Sequence, residues 1–116
     1  MQRQSLSSVE IKSSNQDAVA QSVSNYIGWL RTEHPEVVRI IWFGSRVNGL
    51  PTPGSDVDLC IVVMSSNKSR RDRIPDYLPV GFPVGIDLFV YTIEEFKQLR
   101  KTSPSWFATI TAGREL

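Results

Sequence analysis

One stretch of this sequence, residues 56–64, limits the possible folds more than any other. It reads Asp-Val-Asp-Leu-Cys-Ile-Val-Val-Met, and its second half is almost continuously apolar. A short apolar run rich in β-branched residues is typical of a strand that is buried on both faces. Such a strand lies in the middle of a sheet that is covered by other layers on both sides. The sequence therefore predicts an α/β layer structure.

The neighbouring segments supply the remaining elements of this fold. Apolar residues at intervals of four, four and three, Val19, Val23, Ile27 and Leu30, predict one face of a helix. Ser14 and Asp17 have the spacing of a capping box, so we expect that helix to begin near residue 14. The other predicted elements are a strand at 37–43, a loop at 44–55 with a short helical stretch near 45–50, a strand at 84–91, a helix capped by Thr92 with Glu95, and a helix that opens at Pro104 and ends near Gly113.

These elements predict one small domain. We expect residues 1–13, which are rich in Ser and Gln, to form a tail, and residues 14–116 to form a domain with a mixed sheet of at least three strands flanked by helices. Three prolines at 75, 79 and 83 argue against a long helix between the second and third strands. A compact domain of 116 residues would have a radius of gyration of about 13–14 Å.

Composition excludes several classes of function. Thirteen Lys and Arg against twelve Asp and Glu leave a net charge of +1, which gives no general attraction to nucleic acid or to an anionic membrane. A single cysteine, Cys60, cannot close an intramolecular disulfide. The chain has no apolar run of the ~20 residues that a membrane span needs, and residues 1–16 have no apolar core of a secretory signal. We therefore expect a cytoplasmic protein.

Three carboxylates are candidates for a metal site. Asp56 and Asp58 are two apart at the start of a strand, so both side chains project from the same face. Asp87 lies inside the apolar strand at 84–91 and faces the other two if the strands are neighbours. Mg²⁺ prefers carboxylate oxygens and would relieve the repulsion among them. The alternatives are an ordinary strand-entry residue for Asp56 and a strand-edge acid that reaches solvent for Asp87.

A second candidate feature precedes these acids along the chain. Gly44 and Ser45 follow the strand at 37–43 directly. Glycine permits close backbone approach, and exposed N–H groups with a hydroxyl can bind phosphate oxygens. A Gly-Ser pair alone is usually only a turn. Its position makes it informative, because ten residues separate it from Asp-x-Asp on the next strand.

The combined pattern resembles a known family. Gly44-Ser45-Arg46-Val47-Asn48-Gly49, followed by Ser55-Asp56-Val57-Asp58-Leu59, resembles the signature of the DNA polymerase β-like nucleotidyltransferase superfamily. The sequence is most similar to the minimal nucleotidyltransferases, which are commonly encoded beside a HEPN-domain toxin and act as its antitoxin. The resemblance covers most of residues 15–113, including the third acid in Ile86-Asp87-Leu88-Phe89-Val90-Tyr91.

The resemblance implies specific roles. Asp56 and Asp58 would bind two Mg²⁺ ions, and Asp87 would complete the site beside the acceptor hydroxyl. Gly44 and Ser45 would hold the triphosphate of ATP. Arg46 also falls in the matched loop and could touch phosphate, although an exposed Arg beside a loop is more often only solvated.

The segment at 65–83 departs from the family pattern, since family members often have a regular helix there. Its basic residues are Lys68, Arg70, Arg71 and Arg73. They suggest either a solvated loop or a surface that faces a partner or nucleic acid.

The resulting hypothesis is a Mg²⁺-dependent nucleotidyltransferase that transfers AMP from ATP to a protein hydroxyl. By resemblance, that hydroxyl belongs to a HEPN toxin and the chain is the antitoxin of the pair. Nucleic acid is not expected as a direct substrate. The sequence is compatible with a monomer or an oligomer. The alternatives are an antitoxin that neutralises its partner by binding alone and a nucleotidyltransferase that modifies a small molecule.

Overall fold

The computed structural model describes residues 2–49 and 55–116, with side chains described from residue 16 onward. The elements are, in chain order, α1 (Gln2–Glu33), β1 (Val37–Phe43), α2 (Ser45–Asn48), β2 (Val57–Val63), α3 (Arg70–Tyr77), β3 (Ile86–Thr92), α4 (Ile93–Thr102), α5 (Pro104–Thr111) and β4 (Arg114–Glu115). Within these residues, no helix is long and apolar enough to cross a membrane. The predicted loop residues 50–54 lie outside the described residues.

The four strands form one mixed sheet in the order β3-β2-β1-β4. β1 runs antiparallel to both β2 and β4, whereas β2 and β3 are parallel. The parallel pair needs a crossover connection, and α3 lies in that connection. β2 is thus an interior strand, as its apolar run predicts. The predicted α/β fold with a mixed sheet flanked by helices is confirmed.

Each face of the sheet buries its own apolar cluster. On one face, Val19, Val23 and Leu30 of α1 pack against alternate residues of β1, β2 and β3, among them Leu59 and Ile61. On the opposite face, Cys60 and Val62 of β2 pack with Phe96 of α4 and Ile110 of α5. Successive strand side chains point to opposite faces, so the odd positions of β2 face α1 and the even positions face α4 and α5. The second face is the one that carries the acids.

The ends of α4 and α5 follow local sequence signals. The Thr92 side chain accepts a hydrogen bond from the Glu95 amide, and the Glu95 carboxylate accepts one from the Thr92 amide, which confirms the predicted capping box. Pro104 occupies the first turn of α5, also as predicted. Gly113 follows the end of that helix, where a Cβ would come within 2.5 Å of the Trp42 carbonyl oxygen. Glycine therefore lets the chain pass close to β1 before β4 begins.

The observed elements differ from the predicted ones at three places. The first helix begins at Gln2 rather than near Ser14, so residues 2–13 continue α1. The strand β4 carries too few residues to show a period, and the sequence prediction missed it. The segment before β3, for which the prolines argued against a long helix, contains a short helix of eight residues, α3, with Pro75 inside it. The division into a tail at 1–13 and a domain at 14–116 stays a prediction.

Candidate active site

The two strand acids with the most direct contact are Asp58 and Asp87. They are register partners in the parallel pair of β2 and β3, so their side chains leave the same face of the sheet side by side. Asp56 lies two residues before Asp58, just ahead of β2, and is exposed. The structure pairs the two strands that carry them and so places the three predicted acids at one end of two neighbouring strands, the condition on which the prediction for Asp87 depended.

The neighbouring acids change the ionisation of Asp58. Partial burial raises the pKa of Asp58 to about 6, and the negative charges of Asp87 and Asp56, with a hydrogen bond to Asp87, act in the same direction. Two carboxylates at hydrogen-bonding distance repel each other unless a proton or a cation lies between them. Asp58 and Asp87 therefore form a site where a cation would be favourable.

The carboxylate oxygens of the three acids are suitable ligands for a divalent cation, although the three side chains do not surround one point. Carboxylate oxygens are the ligands that Mg²⁺ prefers in proteins, and Mg²⁺ usually takes only one or two of them. Among the side chains of residues 16–49 and 55–116, no three His, Cys, Asp or Glu residues are grouped around one point suited to a metal ion. Asp58 and Asp87 contact each other directly, and the negative charge of Asp56 contributes to the raised pKa of Asp58.

Gly44 fits closely against Asp58. Its φ of 91° lies in the left-handed region that favours glycine, and a Cβ at this position would collide with the Asp58 carboxylate. Register explains the proximity, because Phe43, the residue before Gly44, is the partner of Asp58 across β1 and β2. The Gly-Ser turn is therefore built around the central acid.

Gly85 fits closely against the Asp56 carboxylate, as Gly44 does against Asp58. A Cβ on Gly85 would collide with the Asp56 carboxylate, and the Gly85 carbonyl oxygen accepts a hydrogen bond from the Val57 amide at 2.9 Å. Sequence reasoning gave Gly85 no role in the site. A glycine next to an apolar strand is itself a signal of close approach, and that signal could have found it.

The short helix α2 presents the rest of the predicted nucleotide-binding segment. Ser45, its first residue, is exposed. Arg46 donates from Nε to the Ser55 carbonyl oxygen at 2.7 Å, which ties α2 to the residue before Asp56. Asn48 donates from Nδ2 to the Ala112 carbonyl oxygen at 3.1 Å, which ties α2 to the end of α5. Arg46 therefore has a structural role, since it joins the two ends of the loop, in addition to the contact with phosphate that the resemblance implies.

The basic residues of the segment at 65–83 do not form one free patch. Arg73 is buried and pairs with Glu95, with Nη1 to Oε1 at 2.6 Å. Lys68 pairs with Asp76 at 2.6 Å. Arg70 is exposed and lies over the Tyr91 ring, 5.4 Å from its centroid. A structural role therefore accounts for Arg73, while Arg70 still faces solvent on the side of β3.

Comparison with known proteins identifies the family. The model of the nucleotidyltransferase domain family matches residues 23–106, which include β1, β2, β3 and all of the predicted site residues. A crystal structure from Sulfolobus solfataricus, described as a "putative nucleotidyltransferase", is similar in fold with a TM-score of 0.59 and 19% sequence identity. The similarity covers 73% of this chain and 77% of that one. No curated protein sequence matches the chain. Since the family match spans most of the sequence and includes both acid-bearing strands, β2 and β3, the chain belongs to the nucleotidyltransferase domain family.

Proposed function

We propose that this protein is a Mg²⁺-dependent nucleotidyltransferase that transfers AMP from ATP to a hydroxyl of a protein acceptor, as the antitoxin of a HEPN-domain toxin. The observation that carries the proposal is the pairing of Asp58 with Asp87 directly beside the Gly44 turn. Family membership supports nucleotide transfer. The toxin partner rests on the resemblance to minimal nucleotidyltransferases.

In this proposal the acids hold the cations and the turn holds the nucleotide. Asp56 and Asp58 would bind two Mg²⁺ ions, with Asp87 as a further ligand beside the acceptor. Bound Mg²⁺ would neutralise the phosphate charge and stabilise both the attacking and the leaving oxygen of an in-line displacement. Ser45, with the exposed backbone of the turn, would bind the triphosphate, and Arg46 would add a positive charge close to it.

The Asp87 carboxylate has a separate task at the acceptor. It is exposed and lies on the edge strand β3, so a hydroxyl can reach it from solvent. A carboxylate there accepts a hydrogen bond from the acceptor hydroxyl and orients its oxygen toward the α-phosphate. Positioning and charge neutralisation provide most of the catalysis in phosphoryl transfer.

Intact-mass spectrometry of the acceptor tests this function. The purified protein is incubated with the HEPN partner, ATP and Mg²⁺, and the partner should gain the mass of one or more AMP units. The variant with Asp56→Asn, Asp58→Asn and Asp87→Asn should add none. Asp17→Asn, at an exposed position on α1, is the matched control and should transfer like the wild type.

The same experiment separates catalysis from binding. If the partner's mass is unchanged while the wild type and the triple variant both neutralise the toxin, the protein acts by binding alone. A gain of the mass of AMP on an added small hydroxyl compound, with no gain on the partner, would instead support the small-molecule alternative.

A further inference from the structure

An open groove of about 600 Å³ lies on the same side of the sheet as the acids. Its floor is formed by Phe89 and Tyr91 of β3 and by Trp106 of α5, and its rim includes Arg70, Glu94 and Gln98. We call this the β3 groove. None of the roles assigned above uses it. Its volume is within the range of sites that bind small ligands or single side chains with their neighbours.

The β3 groove is lined by residues of the strand that carries Asp87, although Asp87 itself does not line it. Asp87, Phe89 and Tyr91 alternate along β3 and therefore share one face. Phe89 is two residues from Asp87, a separation of about 6–7 Å along a strand. A molecule whose hydroxyl lies at Asp87 can thus place a neighbouring group over Phe89.

The direction of attack that the proposed nucleotide site requires would bring the acceptor to this side. Across the sheet, the Gly44 turn follows β1, Asp58 is on the central strand β2, and Asp87 is on the edge strand β3. In an in-line displacement the attacking oxygen and the leaving group lie on opposite sides of the phosphorus. If the triphosphate extends from Asp58 toward Gly44 and Ser45, pyrophosphate leaves on the β1 side. The acceptor then approaches from the β3 side, where the groove lies.

The lining of the β3 groove indicates what kind of acceptor fits. The Trp106 indole is fixed in place, because its Nε1 donates to the Tyr91 hydroxyl oxygen at 2.9 Å and its ring meets Phe89 edge-on at 5.0 Å between centroids. A fixed aromatic floor binds apolar or aromatic groups without a large loss of side-chain entropy. The exposed rim carries both signs of charge, Arg70 and Glu94. That mixture suits a polypeptide segment better than a polyanion such as RNA.

We propose that the β3 groove is the acceptor subsite and binds a polypeptide segment with an apolar or aromatic side chain close to the acceptor hydroxyl. This inference rests on the proposed function, since it assigns the direction from which the acceptor reaches that site. It adds Phe89, Trp106 and Arg70 as residues that select the acceptor.

A variant that fills the groove tests the proposal without disturbing the acids. Gln98 is exposed on the groove side of α4, so Gln98→Trp should block the groove. Lys101→Trp adds the same side chain at an exposed position of the same helix that does not line the groove and is the matched control. The acceptor probe is a mixture of random peptides with a central Ser, Thr or Tyr, supplied with α-labelled ATP and Mg²⁺, and an RNA oligonucleotide is offered in a parallel reaction. Nucleotide binding is followed separately by the rise in Tm with Mg²⁺ and ATP.

We expect the wild type and Lys101→Trp to label peptides with apolar or aromatic residues beside the hydroxyl. Gln98→Trp should label these peptides at least about tenfold less, because a blocked subsite misplaces the acceptor. The rise in the Tm of this variant with Mg²⁺ and ATP should equal that of the wild type. Equal labelling by Gln98→Trp and the wild type would overturn the groove assignment alone. Labelling indifferent to neighbouring residues, or of an RNA oligonucleotide but no peptide, would also overturn it. Absence of a Tm rise in the wild type would instead refute the proposed function together with the subsite.

Discussion

At the scale of single residues, the site depends on a glycine as much as on its acids. Gly44 turns the chain with a positive φ and leaves the space that the Asp58 carboxylate occupies. Any other residue would have to adopt a strained backbone and also displace Asp58 from its partner Asp87. The Gly-Ser signature therefore has a structural cause in addition to its proposed role in holding phosphate.

Three glycine-to-alanine variants separate these two effects. In Gly81→Ala the only unfavourable change is the strain of a positive φ, because no atom would contact the added Cβ. This variant should be destabilised by about 1–2 kcal/mol. Gly44→Ala should cost more and should also weaken Mg²⁺-ATP binding, since Asp58 must move. Gly28→Ala, exposed within α1 and free of contacts at Cβ, should stabilise the protein by about 0.5–1 kcal/mol.

Urea unfolding and nucleotide titration measure the two quantities for each variant. If Gly44→Ala and Gly81→Ala lose equal stability and both bind Mg²⁺-ATP normally, the close fit of Gly44 against Asp58 has no consequence.

At the scale of elements, one buried arginine joins α3, β3 and α4. Arg73 is only 5% exposed and donates to the Lys68 and Val90 carbonyl oxygens as well as to both oxygens of Glu95. The guanidinium thus has a charged partner and backbone acceptors, which a buried charge requires. Because Glu95 also caps α4, the same carboxylate sets the start of the helix that forms one wall of the β3 groove.

This pair predicts a pH-dependent part of the stability. Arg73 holds the pKa of Glu95 down at about 2, against about 4.3 for an unperturbed Glu. The pair therefore contributes fully above about pH 4.3 and is lost as the pH falls toward 2. Glu95→Gln should lower the free energy of unfolding at pH 7 by about 1–3 kcal/mol, in the range of hydrogen bonds to charged groups. Solvent screens the attraction between Arg73 and Glu95 and so limits this loss of stability, since the Glu95 side chain is 41% exposed.

Urea unfolding of the wild type and Glu95→Gln between about pH 6 and pH 3 checks this linkage. The difference in stability should shrink as the pH falls, while Glu94→Gln, an exposed neighbour in the same turn, should show no such trend. A constant difference across that range would mean that the ion pair does not set the pKa of Glu95.

At the scale of the whole molecule, the candidate site draws on three neighbouring strands while most of α1 lies apart from it. The radius of gyration is 16.2 Å, above the 13–14 Å expected for a compact domain of this length, because α1 has 32 residues and a helix of that length spans about 48 Å. The sheet, in contrast, brings the ends of β1, β2 and β3 together at the acids.

A ligand that contacts all three strands should stabilise the entire fold. Mg²⁺ with ATP should raise Tm more than ATP alone, because the cation removes the repulsion among the acids; at a ligand concentration of about 100 times Kd the gain is about 2.7 kcal/mol. Thermal unfolding with each addition measures the shift. If the double variant Asp56→Asn with Asp58→Asn showed the same rise as the wild type, the nucleotide would bind elsewhere.

The sequence by itself determined the parts of this protein that depend on local chemistry and on period. The apolar run after Asp58 predicted the interior strand β2, the Thr92 and Glu95 spacing predicted the start of α4, and the positions of Asp56, Asp58 and Asp87 predicted acids on one face of the sheet. The strand run and the helix start need only neighbouring residues for their cause, whereas the meeting of Asp87 with Asp58 also required β2 and β3 to pair.

Tertiary structure decided what depends on contacts between distant segments. The pairing of β4 with β1, the close fit of Gly85 to Asp56 and the burial of Arg73 against Glu95 each join residues with no shared local pattern. The β3 groove is of the same kind, since its floor combines β3 with Trp106 of α5. Such features arise when the sheet and helices pack, because only then do side chains distant in sequence share one volume and one local electrostatic field.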